Sequence, residues 1–146
     1  MNICLKAKVK GHYKTVMQKF DRELFELLAP KNAPMKIKKF TGSKKGDLVH
    51  IHFKSPINTD WISDIVEDGA NEKEAWFIDE GRKLPFPLKY WRHKHIVRKI
   101  DEEHSVIIDD ITFQGPNFIM DRLLYPAIYL GFKPRKRIYQ DYFGKA

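Results

Sequence analysis

The chain has 146 residues, of which 42% are hydrophobic and 32% charged, and its formal net charge is +8. This composition is typical of a globular domain with its own core, so we expect residues 1–146 to form a single domain and exclude a disordered chain. The single cysteine, Cys4, excludes an intramolecular disulfide and favours a reducing compartment. Lysines interrupt the first apolar stretch, and no apolar run is long enough to span a membrane, so we expect a cytoplasmic protein.

The positive charge is spread along the whole sequence. Basic clusters at residues 36–39 and 135–137 are interleaved with acidic runs at residues 64–67 and 101–103. Such mixing favours a solvated surface with a positive bias over a site for a polyanion. No zinc-finger spacing and no aromatic RNA-binding motif occurs, so no nucleic-acid partner is expected.

The first half of the chain begins with an alternating segment, residues 5–9, which predicts a strand. Apolar residues then recur at helical spacing, and Asp21 is placed to cap a second short helix that ends before Pro30. Strand patterns follow at six places: residues 35–40, 47–53, 59–67, 73–80, 88–100 and 104–113.

A helical pattern returns after the sequence GPN. Asn117 can cap a helix, Pro126 should kink or divide it, and Gly131 with Pro134 predicts a second break. Strands in direct succession with short connections form an antiparallel meander. The C-terminal helix is the only large amphipathic element left to cover the apolar face of the sheet. We therefore predict a curved sheet around this helix, with a gap between them where a ligand could bind.

The segment YWRHKHIVRKI, residues 90–100, places two histidines on an otherwise apolar face. In a strand, Trp91, His93, His95 and Val97 share one face, while basic residues share the other. An inward imidazole needs a partner for its ring N–H. Inward carboxylates on the neighbouring strands are the natural partners.

The turns on either side of this strand predict its pairing. A loop centred near Phe86 places Asp79 opposite His93 and Phe77 opposite His95, and a turn near residues 102–103 places Asp109 opposite His95. Ile111 and Phe113 share the face of Asp109. Two hypotheses remain open for these groups: a polar network that fixes strand register, or the polar floor of a ligand cavity that orients a ligand or moves a proton.

Other chemical signals are weak. His50 and His52 alternate with apolar residues and are expected to face solvent, so we expect no metal site. Cys4 has no nearby base, and the sequence has no G-x-S-x-G elbow and no glycine-rich phosphate loop. We therefore expect neither a nucleophilic triad nor a cofactor.

The chain resembles the START-like, or SRPBCC, superfamily, in particular its polyketide-cyclase-like and ligand-binding bacterial members. The resemblance rests on the segments VMQKFDRELFELLAP, FIDEGRKLPFPLKYWRHKH, VIIDDITFQGP and GFKPRKRI, which follow one another in the family's order over nearly the whole chain. Val97 and Phe113 stand where the family usually has an aromatic residue and a tyrosine, and Pro134 interrupts the last helix. The resemblance implies an α+β helix-grip fold, in which a seven-stranded curved antiparallel sheet surrounds a long C-terminal helix, with two short helices after the first strand.

Two functions are expected from the resemblance and the inward residues together. The first is binding of a small hydrophobic or amphipathic ligand between the sheet and the C-terminal helix. Its candidate ligand-binding residues are Phe77, Asp79, Trp91, His93, His95, Asp109, Ile111 and Phe113. The alternative is a polyketide cyclase/aromatase-like or dehydratase-like enzyme that uses the inward histidines and aspartates for acid–base chemistry. A third possibility is docking of a partner through the basic C-terminal segment.

Overall fold

The computed structural model describes residues 1–30, 35–54 and 58–146. Seven strands and four helices follow one another along the chain. The strands are β1 (Asn2–Lys10), β2 (Met35–Phe40), β3 (Leu48–Phe53), β4 (Thr59–Ala70), β5 (Glu74–Lys83), β6 (Tyr90–Lys99) and β7 (His104–Gln114). The helices are α1 (Tyr13–Gln18), α2 (Arg22–Leu27), α3 (Phe118–Phe132) and α4 (Arg135–Phe143). Each predicted strand is present, with ends shifted by a few residues.

All seven strands form a single antiparallel sheet in the order β1-β7-β6-β5-β4-β3-β2. The predicted meander from β2 to β7 is confirmed, because each of these strands pairs with its neighbour in sequence. β1 pairs with β7, so that the first and last strands of the chain lie side by side. The two edges of the sheet are therefore β1 and β2.

The two short helices begin at side-chain caps and help to cover the sheet. His12 accepts a hydrogen bond from the Lys14 amide at the start of α1, and Asp21 accepts one from the Leu24 amide at the start of α2, as predicted for Asp21. Val16 and Leu24 are buried in a core cluster with residues of β6 and β7. The sequence assigned the cover to the C-terminal helix alone, and this was wrong, because α1 and α2 bury their apolar faces as well.

The predicted long C-terminal helix consists of two helices. Asn117 caps α3, as predicted, by accepting a hydrogen bond from the Met120 amide at 3.0 Å. Helix α3 continues through Pro126 and ends at Phe132, and α4 starts after Pro134. Of the two effects predicted for Pro126, a kink or a division, the division does not occur, whereas the break at Pro134 is confirmed. No helix within the described ranges combines the length and apolar character needed to cross a membrane.

Two apolar clusters lie on the concave face of the sheet. One joins α1, α2 and α4 to the strands through residues such as Val97 and Ile107, and the other joins α3 to Trp91, Ile111 and Phe113. Every residue of α3 keeps some exposure, whereas Tyr139 of α4 is 1% exposed. This is the helix-grip arrangement, with the C-terminal helices held against a curved sheet. Between the two clusters lies a group of polar side chains.

Candidate functional site

The polar group is built from three adjacent strands at the middle of the sheet. The register pairs Asp79 of β5 with His93 of β6, Phe77 with His95, and His95 with Asp109 of β7. All three predicted pairings are thereby confirmed. The side chains of the two histidines and two aspartates point to the concave face, and each residue is at most 9% exposed.

The hydrogen bonds within the group run diagonally across the register. His93 Nε2 lies 2.9 Å from Asp109 Oδ1, and His95 Nε2 lies 2.7 Å from Asp79 Oδ2. Because an ionised carboxylate can only accept, each imidazole donates through Nε2. Each histidine is thus held by the aspartate that is not its direct cross-strand neighbour.

The four side chains close into a ring of alternating carboxylate and imidazole groups. The other two edges of the ring are longer: His93 Nδ1 lies 3.8 Å from Asp79 Oδ2, and His95 Nδ1 lies 3.9 Å from Asp109 Oδ1. The two imidazoles stack with their centroids 3.6 Å apart and their planes inclined by 28°. Stacked rings at this distance strongly disfavour a positive charge on both imidazoles at once.

Helix α4 adds two groups above the sheet. Tyr139 donates a hydrogen bond to Asp109 Oδ1 at 3.4 Å, and Arg135 Nη1 lies 3.7 Å from the same oxygen. The guanidinium of Arg135 also lies over the ring of Phe132, 4.2 Å from its centroid. Arg135 is therefore the one cation that the described part of α4 brings to Asp109.

Burial and neighbouring charges shift the protonation of these groups. Burial alone would raise the pKa of Asp109, but the hydrogen bond from His93 and the charge of Arg135 outweigh it and lower the pKa to about 2. The pKa of Asp79 is also lowered, because the hydrogen bond and charge of its histidine neighbours outweigh its burial. Burial and the adjacent His93 lower the pKa of His95 to about 4. The two ionised carboxylates and Arg135 together carry one negative charge.

A cavity of about 300 Å³ lies above this ring, between the sheet and the helices. Its wall is mostly apolar and comes from α2, from β2 to β6 and from α3. The residues that line it include Phe20, Leu24, Val49, Ile51, Trp61, Ile65, Phe77, Trp91, Gly131 and Phe132. The polar groups Asp79, His93, His95 and Arg135 also line it, together with Ser43 and Ser63.

The eight candidate residues divide into two layers. The cavity is lined by Phe77, Asp79, Trp91, His93 and His95. Asp109, Ile111 and Phe113 do not line it, since they lie beneath the lining and are at most 2% exposed. That these three residues take part in ligand binding stays a prediction. Asp109 instead contacts His93, and Phe113 packs in the cluster beneath Trp91.

The sequence did not place Arg135 and Tyr139 at the site. From the sequence, Arg135 was assigned only to the basic cluster at residues 135–137 and to the segment GFKPRKRI. Arg135 follows Phe132 by three residues and precedes Tyr139 by four. These spacings place all three residues on one side of consecutive helical turns. This spacing was the signal that could have found them.

Two groups of histidine and aspartate residues bear on metal binding, one outside the cavity and one at its floor. His50 and His52 point away from the cavity and both contact Asp60, at 3.1 and 2.8 Å, while Val49, Ile51 and Phe53 face inward. Ligand atoms of Asp79, His93 and His95 lie within 4.8 Å of one another, a spacing that a metal ion could bridge. The expectation that the chain binds no metal therefore stays a prediction.

Comparison with known proteins identifies the fold. No protein-family model matches the sequence, and a search of curated protein sequences finds no match. Truncated norcoclaurine synthase from Thalictrum flavum superposes with a TM-score of 0.70 at 12% identity, covering 100% of this chain and 95% of that chain. The Zhui aromatase/cyclase from Streptomyces sp. R1128 gives a TM-score of 0.68 at 9% identity, covering 95% of this chain and 90% of that chain.

The chain has an SRPBCC-like fold. An uncharacterised protein from Bacillus thuringiensis shares it as well, with a TM-score of 0.63 at 16% identity and coverage of 98% of both chains. At these identities the similarity establishes the fold alone, because one fold supports many functions. The function has to be argued from the site.

Proposed function

We propose that the chain binds a small hydrophobic or amphipathic molecule in the cavity between the sheet and helices α3 and α4. The observation that carries this proposal is the apolar cavity of about 300 Å³ whose charged groups gather at its floor. Apolar pockets with a few convergent polar groups are the usual form of small-molecule sites. The wall would bury the body of the ligand, and the floor would fix its polar end.

The contacts proposed for the ligand come from two layers. Phe77 and Trp91 provide flat apolar surfaces, and Asp79, His93 and His95 provide polar contacts. Asp109, Ile111 and Phe113 would support these groups from beneath. Norcoclaurine synthase and an aromatase/cyclase share the fold, which supports a role with small organic molecules. The lone cysteine supports a cytoplasmic location, and the mixed charge pattern supports the absence of a nucleic-acid partner.

Native mass spectrometry of gently purified protein tests the proposal. Gly131 faces the cavity, and a Cβ placed on it meets no heavy atom within 4 Å among the described residues. Gly131→Leu should therefore fill part of the cavity with little change to the backbone. Leu130→Phe is the matched control, because Leu130 is 63% exposed on the outer side of the same helix.

The expected result is a small molecule that remains bound to the wild type and to Leu130→Phe and is lost from Gly131→Leu. If the protein is bare as purified, equilibrium dialysis with 1-adamantanol gives the same comparison. Equal binding by all three proteins would place the ligand elsewhere. Absence of binding to each of them would contradict the proposal.

A second function, acid–base catalysis on the bound molecule, is favoured by the ring of two imidazoles and two carboxylates. His93 and His95 line the cavity, and each is oriented by a hydrogen bond to a carboxylate. A positioned imidazole with a carboxylate partner is suited to take up and return a proton. The corresponding activity would be polyketide cyclase/aromatase-like or dehydratase-like.

Deuterium exchange distinguishes the two functions without knowledge of the natural substrate. The methyl protons of 2-acetylnaphthalene exchange with D2O through an enol, and NMR measures the rate. An enzyme of this class should accelerate the exchange in the presence of a metal chelator, and His95→Phe should lose the acceleration while still binding the ketone. Equal rates with wild type and with His95→Phe would leave ligand binding as the function.

A further inference from the structure

Two buried polar atoms at the cavity floor are available to a ligand. His95 Nδ1 and Arg135 Nη1 have no hydrogen-bond partner among residues 1–30, 35–54 and 58–146. Both side chains line the cavity. A buried polar atom without a partner destabilises the protein, so a bound group that supplies the missing partner is favoured.

The two atoms have opposite hydrogen-bonding roles. His95 donates through Nε2 to Asp79, at 2.7 Å, so in the neutral ring Nδ1 carries a lone pair and accepts. Arg135 can only donate. Both atoms lie beside the same oxygen, Asp109 Oδ1, at 3.9 and 3.7 Å.

These roles discriminate among head groups. A hydroxyl both donates and accepts, so it offers both of the hydrogen-bonding roles that the two atoms require. A carboxylate only accepts, and it would add negative charge beside Asp79 and Asp109. An ammonium only donates, and it would meet the positive charge of Arg135. The neutral hydroxyl is thus the group that fits both partners without adding charge to a buried site.

We propose that the cavity selects a neutral hydroxylated ring compound, a phenol or an enol, whose hydroxyl donates to His95 Nδ1 and accepts from Arg135 Nη1. This inference rests on the proposed function, since it names the head group of the same ligand. The aromatic side chains of the wall favour a flat ring as the body: Phe77 stacks on His95 at 4.1 Å, and Trp61 meets Trp91 at 4.7 Å. Arg135 acts here as a specificity-determining residue.

Equilibrium dialysis with three naphthalenes of similar shape tests the head group. The probes are 2-naphthol, naphthalene and 2-naphthoate, at a pH where the naphthol is neutral and the naphthoate is ionised. We expect 2-naphthol to bind the wild type at least tenfold more tightly than either of the other two. Arg135→Met should reduce the preference for 2-naphthol over naphthalene to less than threefold.

Arg137→Met is the matched control for the arginine. Arg137 belongs to the same helix, but its side chain is 90% exposed and outside the cavity, so the preference should be that of the wild type. The ratio of two affinities is the quantity compared, so a general loss of binding does not imitate the effect. If Arg135→Met does not fold, the three affinities of the wild type decide the proposal alone.

The outcomes separate this inference from the proposed function. Equal binding of 2-naphthol and naphthalene would overturn the hydroxyl site and leave the cavity as a binding site. Tighter binding of 2-naphthoate would also overturn it, in favour of an anion site at Arg135. Failure of all three probes to bind would overturn both proposals.

Discussion

His93 donates a hydrogen bond to Asp109 at 2.9 Å, although Asp109 lies directly opposite His95 in the sheet. The hydrogen-bond partner of His93 is thus its diagonal neighbour on the adjacent strand. Long side chains can span this diagonal distance. The same displacement pairs His95 with Asp79. A buried hydrogen bond therefore joins each of the three strands to the next, and a shift in register would break it.

The first prediction concerns this diagonal arrangement. Double-mutant cycles built from Asp109→Asn with His93→Phe and with His95→Phe should give unequal coupling energies. We expect about 1–3 kcal/mol between Asp109 and His93, because they share a buried hydrogen bond. We expect less than about 1 kcal/mol between Asp109 and His95, whose closest approach is 3.9 Å. Urea denaturation measures the free energy of unfolding of the wild type, the two single mutants and the double mutant in each cycle. A larger coupling energy for His95 than for His93 would contradict the structure.

The second prediction is a loss of stability in acid. The pKa of His95 falls from 6.5 to about 4 on folding, so between these values the unfolded chain binds more protons than the folded one. The free energy of unfolding should therefore decrease as the pH falls through this window, by up to about 3 kcal/mol. The lowered pKa of Asp109 continues the decrease between pH 3.8 and about 2.

Chemical denaturation at a series of pH values measures this dependence. His95→Phe should remove the decrease between pH 6.5 and 4, whereas His104→Gln should keep it. His104 is the suitable control because it lies at the surface, beside Asp101. A wild-type stability that stays constant over this window would show that the buried imidazole does not resist protonation.

The third prediction contrasts two glycines that have equal space around them. A Cβ on Gly131 or on Gly46 meets no heavy atom within 4 Å in the described chain, but Gly46 has a φ of +96°. Gly131→Ala should raise the free energy of unfolding by about 0.5–1 kcal/mol, since alanine favours the helix. Gly46→Ala should lower it by about 1 kcal/mol, because a side chain strains that backbone. If both substitutions changed the free energy of unfolding in the same direction, the backbone conformation described for one of the two glycines would be contradicted.

The fourth prediction uses the tryptophans as reporters of ligand binding. Trp61 and Trp91 line the cavity, while Trp76 donates from its indole to Glu67 outside it. Titration with 1-adamantanol, which does not absorb in this range, should change the emission of the wild type and of Trp76→Phe equally. Trp91→Phe should lose a large part of the change. A response that depends mainly on Trp76 would place the probe on the outer face of the sheet.

The order of strands β2 to β7 and the pairings at the site could be predicted from the sequence. Short loops around Phe86 and residues 102–103 limit the registers available to β6, and the alternation of apolar residues selects among them. The faces of His93, His95 and Asp109 follow from that register. The choice of hydrogen-bond partner does not follow from the register. It depends on the rotamers that the stacked imidazoles and the overlying α4 allow.

The helices were harder to place from the sequence. Helices α1 and α2 have six residues each, and such short amphipathic segments do not reveal which part of a sheet they cover. Pro134 correctly marked the break before α4, since proline is favoured at a helix start. Arg135 was missed as a site residue because its role depends on where α4 crosses the sheet, and a single helical pattern does not contain that information.

The two edge strands carry much of the basic character of the sheet. Lys6, Lys8 and Lys10 are exposed on β1, and the exposed lysines of β2 are Lys36, Lys38 and Lys39, with a register shift between Ile37 and Lys39. A strand from a second molecule that aligned with either edge would meet a row of cations and, at β2, an irregular ladder. Part of the net charge of +8 thus disfavours pairing between the edge strands of different molecules. At high protein concentration this charge protects against aggregation.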